Sequence, residues 1–355
     1  MDPRTEAYAR ILVDCIDAKP GWQVLVRSQL LGRPLVEEVT RELGRRGARA
    51  LVRLNFDSVG GVFLRNAPME LITTISEIER HEIESADSYM AILAPENTRE
   101  SADIPAERLA ARQSALREPH MPYLMDAKPW VGCYYPTTAA AQDAGLPPAA
   151  FEDFLYGACL IDWHELRERM ERIAEHFDRA ETVRIVAPET DIAFSLAGRQ
   201  GKVDALGANM PGGEIFYSPI EDSAEGVITY SEYPACYLGH EVEGVRLHFE
   251  GGTIVEASAT SDEEFLLGTL DTDAGARRLG EFGIGCNPGI QRHMRNTLFD
   301  EKMAGTVHLA VGTGFPQIGG KNASGIHWDM VKDLRQGGRI ELDDTVVQEN
   351  GVWAL

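Results

Sequence analysis

The feature that most constrains this chain is a change of texture between its two halves. Up to about residue 135, strand-like runs alternate with helical spacing. "WQVLVRS", "ARALVRLNF", "DSYMAILAP" and "KPWVGCYYP" read as strands. Between and around them lie "RTEAYARILVDCIDA", with Ala7, Ile11, Cys15 and Ile16 on one side, then "PLVEEVTRELGRRG", "MELITTISEIERHEIESA" and a segment at about 105–117, all read as helices. This alternation predicts βαβ units and a mostly parallel sheet covered by helices. No G-x-G-x-x-G opens any of these helices, so a dinucleotide site has no support. Residues 147–177 are mostly helical and are expected to cross between the halves. From "ETVRIVAP" onward the segments are short, β-rich and separated by glycine, which predicts a mainly antiparallel sheet region. The expected organisation is an α/β domain at 1–146, a helical crossover at 147–180 and an antiparallel α+β domain at 181–355. A chain of 355 residues is long enough for two cores.

Charge and cysteine content exclude several function classes. The net charge is −22, from 34 basic and 56 acidic residues. Such a surface repels nucleic-acid phosphates and anionic lipid, so neither nucleic acid nor membrane is expected as a partner. The five cysteines are scattered, with no C-x-x-C. That argues against a disulfide framework and against a cysteine-based zinc site. The opening "MDPRTEAYARILVDCID" carries early acidic charges and no apolar run of signal-peptide length. No stretch approaches the ~20 apolar residues of a membrane span. The expected compartment is the cytoplasm.

Four segments of the second half place a strong ligand in or beside a glycine-rich stretch. "NMPGGEIFYSP" delivers Glu214 at the start of a strand. "RLGEFGIGCNPG" puts Glu281 on one strand face with Gly283 and Gly285. "TVHLAVGTG" holds His308 inside an apolar strand. "SGIHWDMV" sets His327 and Asp329 two residues apart, on one side of a strand. Each has an ordinary structural reading: a turn carboxylate, a solvated strand end, a satisfied core histidine, a hydrogen-bonded His–Asp pair. Taken together, three carboxylates and two imidazoles would be costly to bury without a partner. Glycines leave room for an ion or a substrate. Two His and several carboxylates without Cys suit zinc, cobalt, manganese or iron(II). Five ligands exceed what one catalytic metal needs and fit a two-metal centre with a bridging carboxylate. "GTGFPQIGGKN" fails as a phosphate loop. Lys321 follows Gly320, but Phe315 and Asn322 stand where the pattern needs glycine and serine or threonine.

"PGGEIFYSPIEDSAEGVI", "LGEFGIG", "NTLFDEK", "HLAVGTGFP" and "NASGIHWDM", in that order, resemble the thermophilic metallo-aminopeptidases of the M29 family. "YYPTTAAAQDAGLPPAAFEDFLYGA" adds weaker support from the first half. The resemblance implies an N-terminal α/β domain, a C-terminal metal-binding domain and a homodimer with an enclosed active site. It implies two divalent ions, zinc, cobalt or manganese, at the positions of Glu214, Glu281, His308, His327 and Asp329. It implies hydrolysis of N-terminal residues from a small peptide substrate. The family has a tyrosine seven residues after the first ligand histidine; here that position is Phe315. A related branch contains iron-dependent ring-cleaving dioxygenases acting on dihydroxypyridine. It shares "EDSAEG", "GGK" and H-x-D, is similar in length, and lacks the Pro-Gly-Gly-Glu and the Glu281 match. The alternative is therefore one iron(II) on His308 or Glu281 with His327 and Asp329, acting on a small dihydroxylated aromatic. A third is a metal-binding scaffold without turnover. For the peptidase, Glu225 in "EDSAEG" and Glu301 in "FDEK" are candidates for the general base, each equally readable as a surface or loop-capping carboxylate.

Overall fold

The computed structural model describes residues 2–125 and 127–355. Its contacts divide the chain into two units, 1–161 with 206–212, and 162–205 with 213–355.

The first unit is built on a parallel sheet. Strands β1 (Gln23–Gln29), β2 (Arg49–Asn55), β3 (Ser88–Leu93) and β4 (Trp130–Tyr134) run in the order β2-β1-β3-β4, and Asn209–Met210 adds a short parallel edge beyond β4. Val24, Leu25 and Val26 are all buried, as expected for a strand covered on both faces. Helix α1 (Pro3–Cys15) starts where the Asp2 carboxylate accepts the Arg4 N–H at 2.8 Å, with proline in its first turn. It buries Tyr8, Ala9, Leu12 and Val13, the spacing of one helix face. Helix α2 (Arg33–Arg45) ends just before Gly47, whose φ of +76° suits glycine.

Two helical expectations change. "MELITTISEIERHEIESA" is two helices, Met69–Ile72 and Glu77–Ser85. The Thr73 and Thr74 hydroxyls bond back to the Met69 and Glu70 carbonyls, and Ser76 then caps the second helix by accepting the Glu79 N–H. The helix expected at about 105–117 runs over Ala106–Leu124, with Pro119 and Pro122 inside its last turns.

The second unit is antiparallel. An eight-stranded sheet runs in the order Thr253–Ser258, Val245–Glu250, Glu225–Tyr230, Thr190–Ser195, Thr182–Ala187, Arg339–Leu342, Thr345–Glu349, Val352–Trp353. A five-stranded sheet is formed by β5 (Lys202–Asp204), β6 (Glu214–Tyr217), β7 (Leu279–Gly285), β8 (Thr306–Gly312) and β9 (His327–Asp333), in the order β9-β8-β7-β6-β5. Every residue of β7 and β8 is buried. One face of this sheet belongs to an aromatic core, in which the Phe282 ring lies 5.0 Å from Phe194 and 6.0 Å from Phe177. Phe177 ends the helix Trp163–Phe177, which is capped by Asp162 and buries Trp163, Leu166, Met170 and Ile173 as well. The opposite face carries the polar residues. No helix among the described residues is long and apolar enough to cross a membrane.

Candidate metal centre

Sheet register gathers the five ligand-type residues. Glu281 on β7 lies opposite Ala310 on β8, and Ala310 lies opposite Asp329 on β9. Two pairs further along, Gly283 faces His308; at the two ends, Gly285 faces Glu214 and Gly312 faces His327. Cross-strand neighbours share a side, and side chains alternate with period two. Glu214, Glu281, His308, His327 and Asp329 therefore share one face of the sheet, although 115 positions separate Glu214 from Asp329 in the chain. Trp328, between the two β9 ligands, turns to the other face and stacks on Tyr237 at 5.2 Å.

Gly283 makes space for one of the imidazoles. A Cβ on Gly283 would stand 2.0 Å from Cε1 and Nε2 of His308. The His308 ring thus lies directly over the backbone of β7.

Both histidines are oriented from behind. The Nδ1 of His308 is 3.1 Å from the Glu301 carbonyl, and the Nδ1 of His327 is 2.9 Å from the Thr313 carbonyl. In the tautomer that donates these bonds, each Nε2 points its lone pair into the site. Nε2 of His327 is 3.0 Å from Glu281 Oε2 and 3.5 Å from Asp329 Oδ1. Nε2 of His308 is 3.5 Å from Glu281 Oε1 and 3.7 Å from Glu214 Oε2. His308 Nε2 and Asp329 Oδ1 are buried without a hydrogen-bond partner among the described residues. Two groups result, Glu214 with Glu301 and His308, and Glu281 with His327 and Asp329. Within each, the ligand atoms lie within 4.8 Å of one another.

The electrostatics of this face call for positive charge. Burial works to raise Glu281 and Asp329, yet the imidazoles of His308 and His327 hold Glu281 below the usual range, and His327 holds Asp329 down to about 2. Against burial, the surrounding carboxylates push His308 up to about 9 and His327 well above its ordinary value. Glu301 is pushed up to about 8 by burial and by the Glu214 charge.

Of the two base candidates, the fold brings Glu301 to the cluster and leaves Glu225 away from it. Glu225 opens the strand Glu225–Tyr230 in the other sheet, where it is exposed and accepts the Gly251 N–H at 2.7 Å. A loop-capping bond of this kind is a complete role for a surface carboxylate. Phe315 stands beside the site, its ring 5.2 Å from His327. The residue that sequence reasoning passed over is Lys302. It is fully buried, its Nζ lies 3.1 Å from Glu214 Oε1, and it donates to the Glu301 carboxylate. Its only sequence signal is its position in "FDEKM", between the buried Phe299 and Met303.

This geometry, two imidazoles and four carboxylates around one partly buried spot, agrees with comparison to known proteins. The family model described as thermophilic metalloprotease (M29) matches residues 1–353. The chain belongs to the M29 family. It is thereby a peptidase of the metal-dependent class, a hydrolase. Among its M29 relatives, Aminopeptidase 2 of Geobacillus stearothermophilus is 27% identical over 349 residues, covering 88% of this chain and 84% of the relative. Aminopeptidase T of Thermus aquaticus is 41% identical over 113 residues, 31% of this chain and 27% of the relative. The fold is that of a solved structure described as wild-type AmpT from Thermus thermophilus, with a TM-score of 0.85 at 22% identity, over 99% of both chains. The donors fit the divalent metal that an M29 peptidase implies. Inward-facing imidazole nitrogens, an orphaned buried carboxylate oxygen and the absence of thiolates suit a borderline or hard cation.

Proposed function

We propose that this chain is an aminopeptidase that removes N-terminal residues from small peptides. The observation that carries the reading is the convergence of Glu214, Glu281, His308, His327 and Asp329 on one buried sheet face, with both Nε2 atoms aimed inward. These five would hold the metal, and with Glu301 they fall into two groups of three, an arrangement that in many aminopeptidases takes two ions. The metal, when bound, supplies a Lewis acid that polarises a carbonyl and acidifies a water.

The chain's own residues do the rest. The Glu301 and Thr313 carbonyls fix the two imidazoles, so that the donors need little reorganisation. Glu301, with its proton affinity raised by burial and by Glu214, holds and returns the proton of the attacking water at its carboxylate. The Phe315 ring stands edge-on to His327 at 5.2 Å and offers no hydroxyl to the reacting carbonyl. The names of the curated relatives support the choice of peptide N-termini as substrate. The homodimer implied by the family resemblance is checked by light scattering of the purified chain.

The test is hydrolysis of a panel of aminoacyl p-nitroanilides by protein reconstituted with zinc, cobalt or manganese. Activity that a chelator abolishes and added metal restores is expected. A metal-loaded, folded protein that turns over no member of the panel and no dipeptide would end the aminopeptidase reading.

A further inference from the structure

Lys302 is the feature that the metal reading does not absorb. An ammonium with no exposed surface sits among the carboxylates of one ligand group. Its backbone is pinned on both sides: Asn287 N–H donates to the Lys302 carbonyl at 2.9 Å, and Lys302 N–H donates to the Phe299 carbonyl at 3.1 Å.

The two ligand groups are therefore unequal. Glu214 and Glu301 share one ammonium, which lies 3.1 Å from Glu214 Oε1 and hydrogen-bonds Glu301 Oε1. Counted without the buried Asp204, the cross-strand neighbour of Glu214, these two carboxylates in their ionised form and one ammonium sum to one negative charge. Glu281 and Asp329 form their ion pairs with imidazoles. With those imidazoles neutral, as metal ligands must be, this group carries two negative charges, the complement of one divalent ion. Of the buried atoms that lack a partner among the described residues, Asp329 Oδ1 belongs to the Glu281 group, and His308 Nε2 lies between the groups, 3.5 Å from Glu281 and 3.7 Å from Glu214. A cation held by Glu214 and Glu301 would sit against the ammonium, and like charges repel strongly where water is excluded.

We propose, resting on the metal-centre reading above, that Lys302 is a built-in cation that fills the Glu214–Glu301 group, so that the chain holds one tight divalent ion, on Glu281, His308, His327 and Asp329. The lysine then does permanently part of what a second metal would do: it offsets one of the carboxylate charges and fixes Glu301 beside the reacting centre. The chain is in this respect a one-metal version of a two-group site.

The test counts metal and needs no activity. Full-length protein is stripped with chelator, reloaded with zinc sulfate, dialysed against metal-free buffer and analysed by elemental mass spectrometry, with circular dichroism to verify folding. Wild type should keep about one zinc per chain, and Lys302→Met about two, a doubling of the count. Lys302→Gln gives the same reading if the methionine variant folds poorly, since it also removes the charge. Glu281→Gln should reduce the wild-type count to near zero. Two zinc ions in wild type would overturn the role of Lys302 while leaving the metal centre standing. One zinc in folded Lys302→Met and Lys302→Gln would overturn it as well. No zinc in any form, wild type included, would instead sink the metal-centre reading on which the proposal rests.

Discussion

Replacing Gly283 with alanine tests whether the site is set by backbone approach. The new Cβ would lie 2.0 Å from the His308 ring, where ordinary contacts begin at 3.4 Å. One partner must give by about 1.4 Å, the difference between those two distances. The ring cannot simply retreat, because its Nδ1 is bonded to the Glu301 carbonyl. β7 cannot retreat either, being hydrogen-bonded on both sides within the five-stranded sheet. Overpacking of this kind costs about 1–3 kcal/mol. For a unit of this size that corresponds to a fall in Tm of roughly 2–4 °C per kcal/mol. Metal affinity should suffer more than stability. Metal–nitrogen bonds tolerate only about 0.2 Å of misplacement, and even indirect orienting residues cost about 10–100-fold when lost. A displaced His308 should weaken zinc binding by at least about 100-fold. Competition with a chromophoric chelator measures the affinity, and differential scanning fluorimetry measures the Tm. A folded Gly283→Ala protein that binds zinc as wild type does would refute the reasoning, because His308 would then not be a ligand held over that glycine.

Three further substitutions separate the roles assigned here. Phe315→Tyr places a hydroxyl beside His327; it should raise kcat on an aminoacyl anilide by about 10-fold or more with little change in KM, and an unchanged kcat would show that the ring edge does not face the reacting carbonyl. Glu225→Gln should leave zinc content and kcat at the wild-type level and change stability by no more than about 0.5 kcal/mol, given its exposed bond to Gly251; a large loss of kcat would restore it as a base candidate. Trp328→Ala removes a buried ring stacked on Tyr237 and should cost about 3–5 kcal/mol in urea unfolding, while a loss below about 1 kcal/mol would mean that the core face of β9 is not packed as described.

Much of the site was legible in the sequence because strand geometry is local. His327 and Asp329 are two apart, so they share a side of any strand that contains them, and Trp328 must point away from both. Glu281, Gly283 and Gly285 follow from the same period. The alternation of strands and helices in the first half likewise predicts the parallel sheet of the first unit. Helix ends are written less plainly in the chain. The break at Thr73–Ser76 depends on hydroxyls competing for backbone groups, a contest that apolar spacing does not register.

What the sequence determined by itself is which residues could stand side by side within one strand, and which chemistry they carried. What only the tertiary structure decided is which strands are neighbours and in what register. That register sets Glu214 beside Gly285, Glu281 in line with Asp329, and Glu225 in another sheet altogether. It also decides the burial of Lys302, which in the sequence is one lysine among many charged residues. A side chain's charge is written in the chain, but its cost and its use depend on the water removed around it. Only the packed fold removes that water.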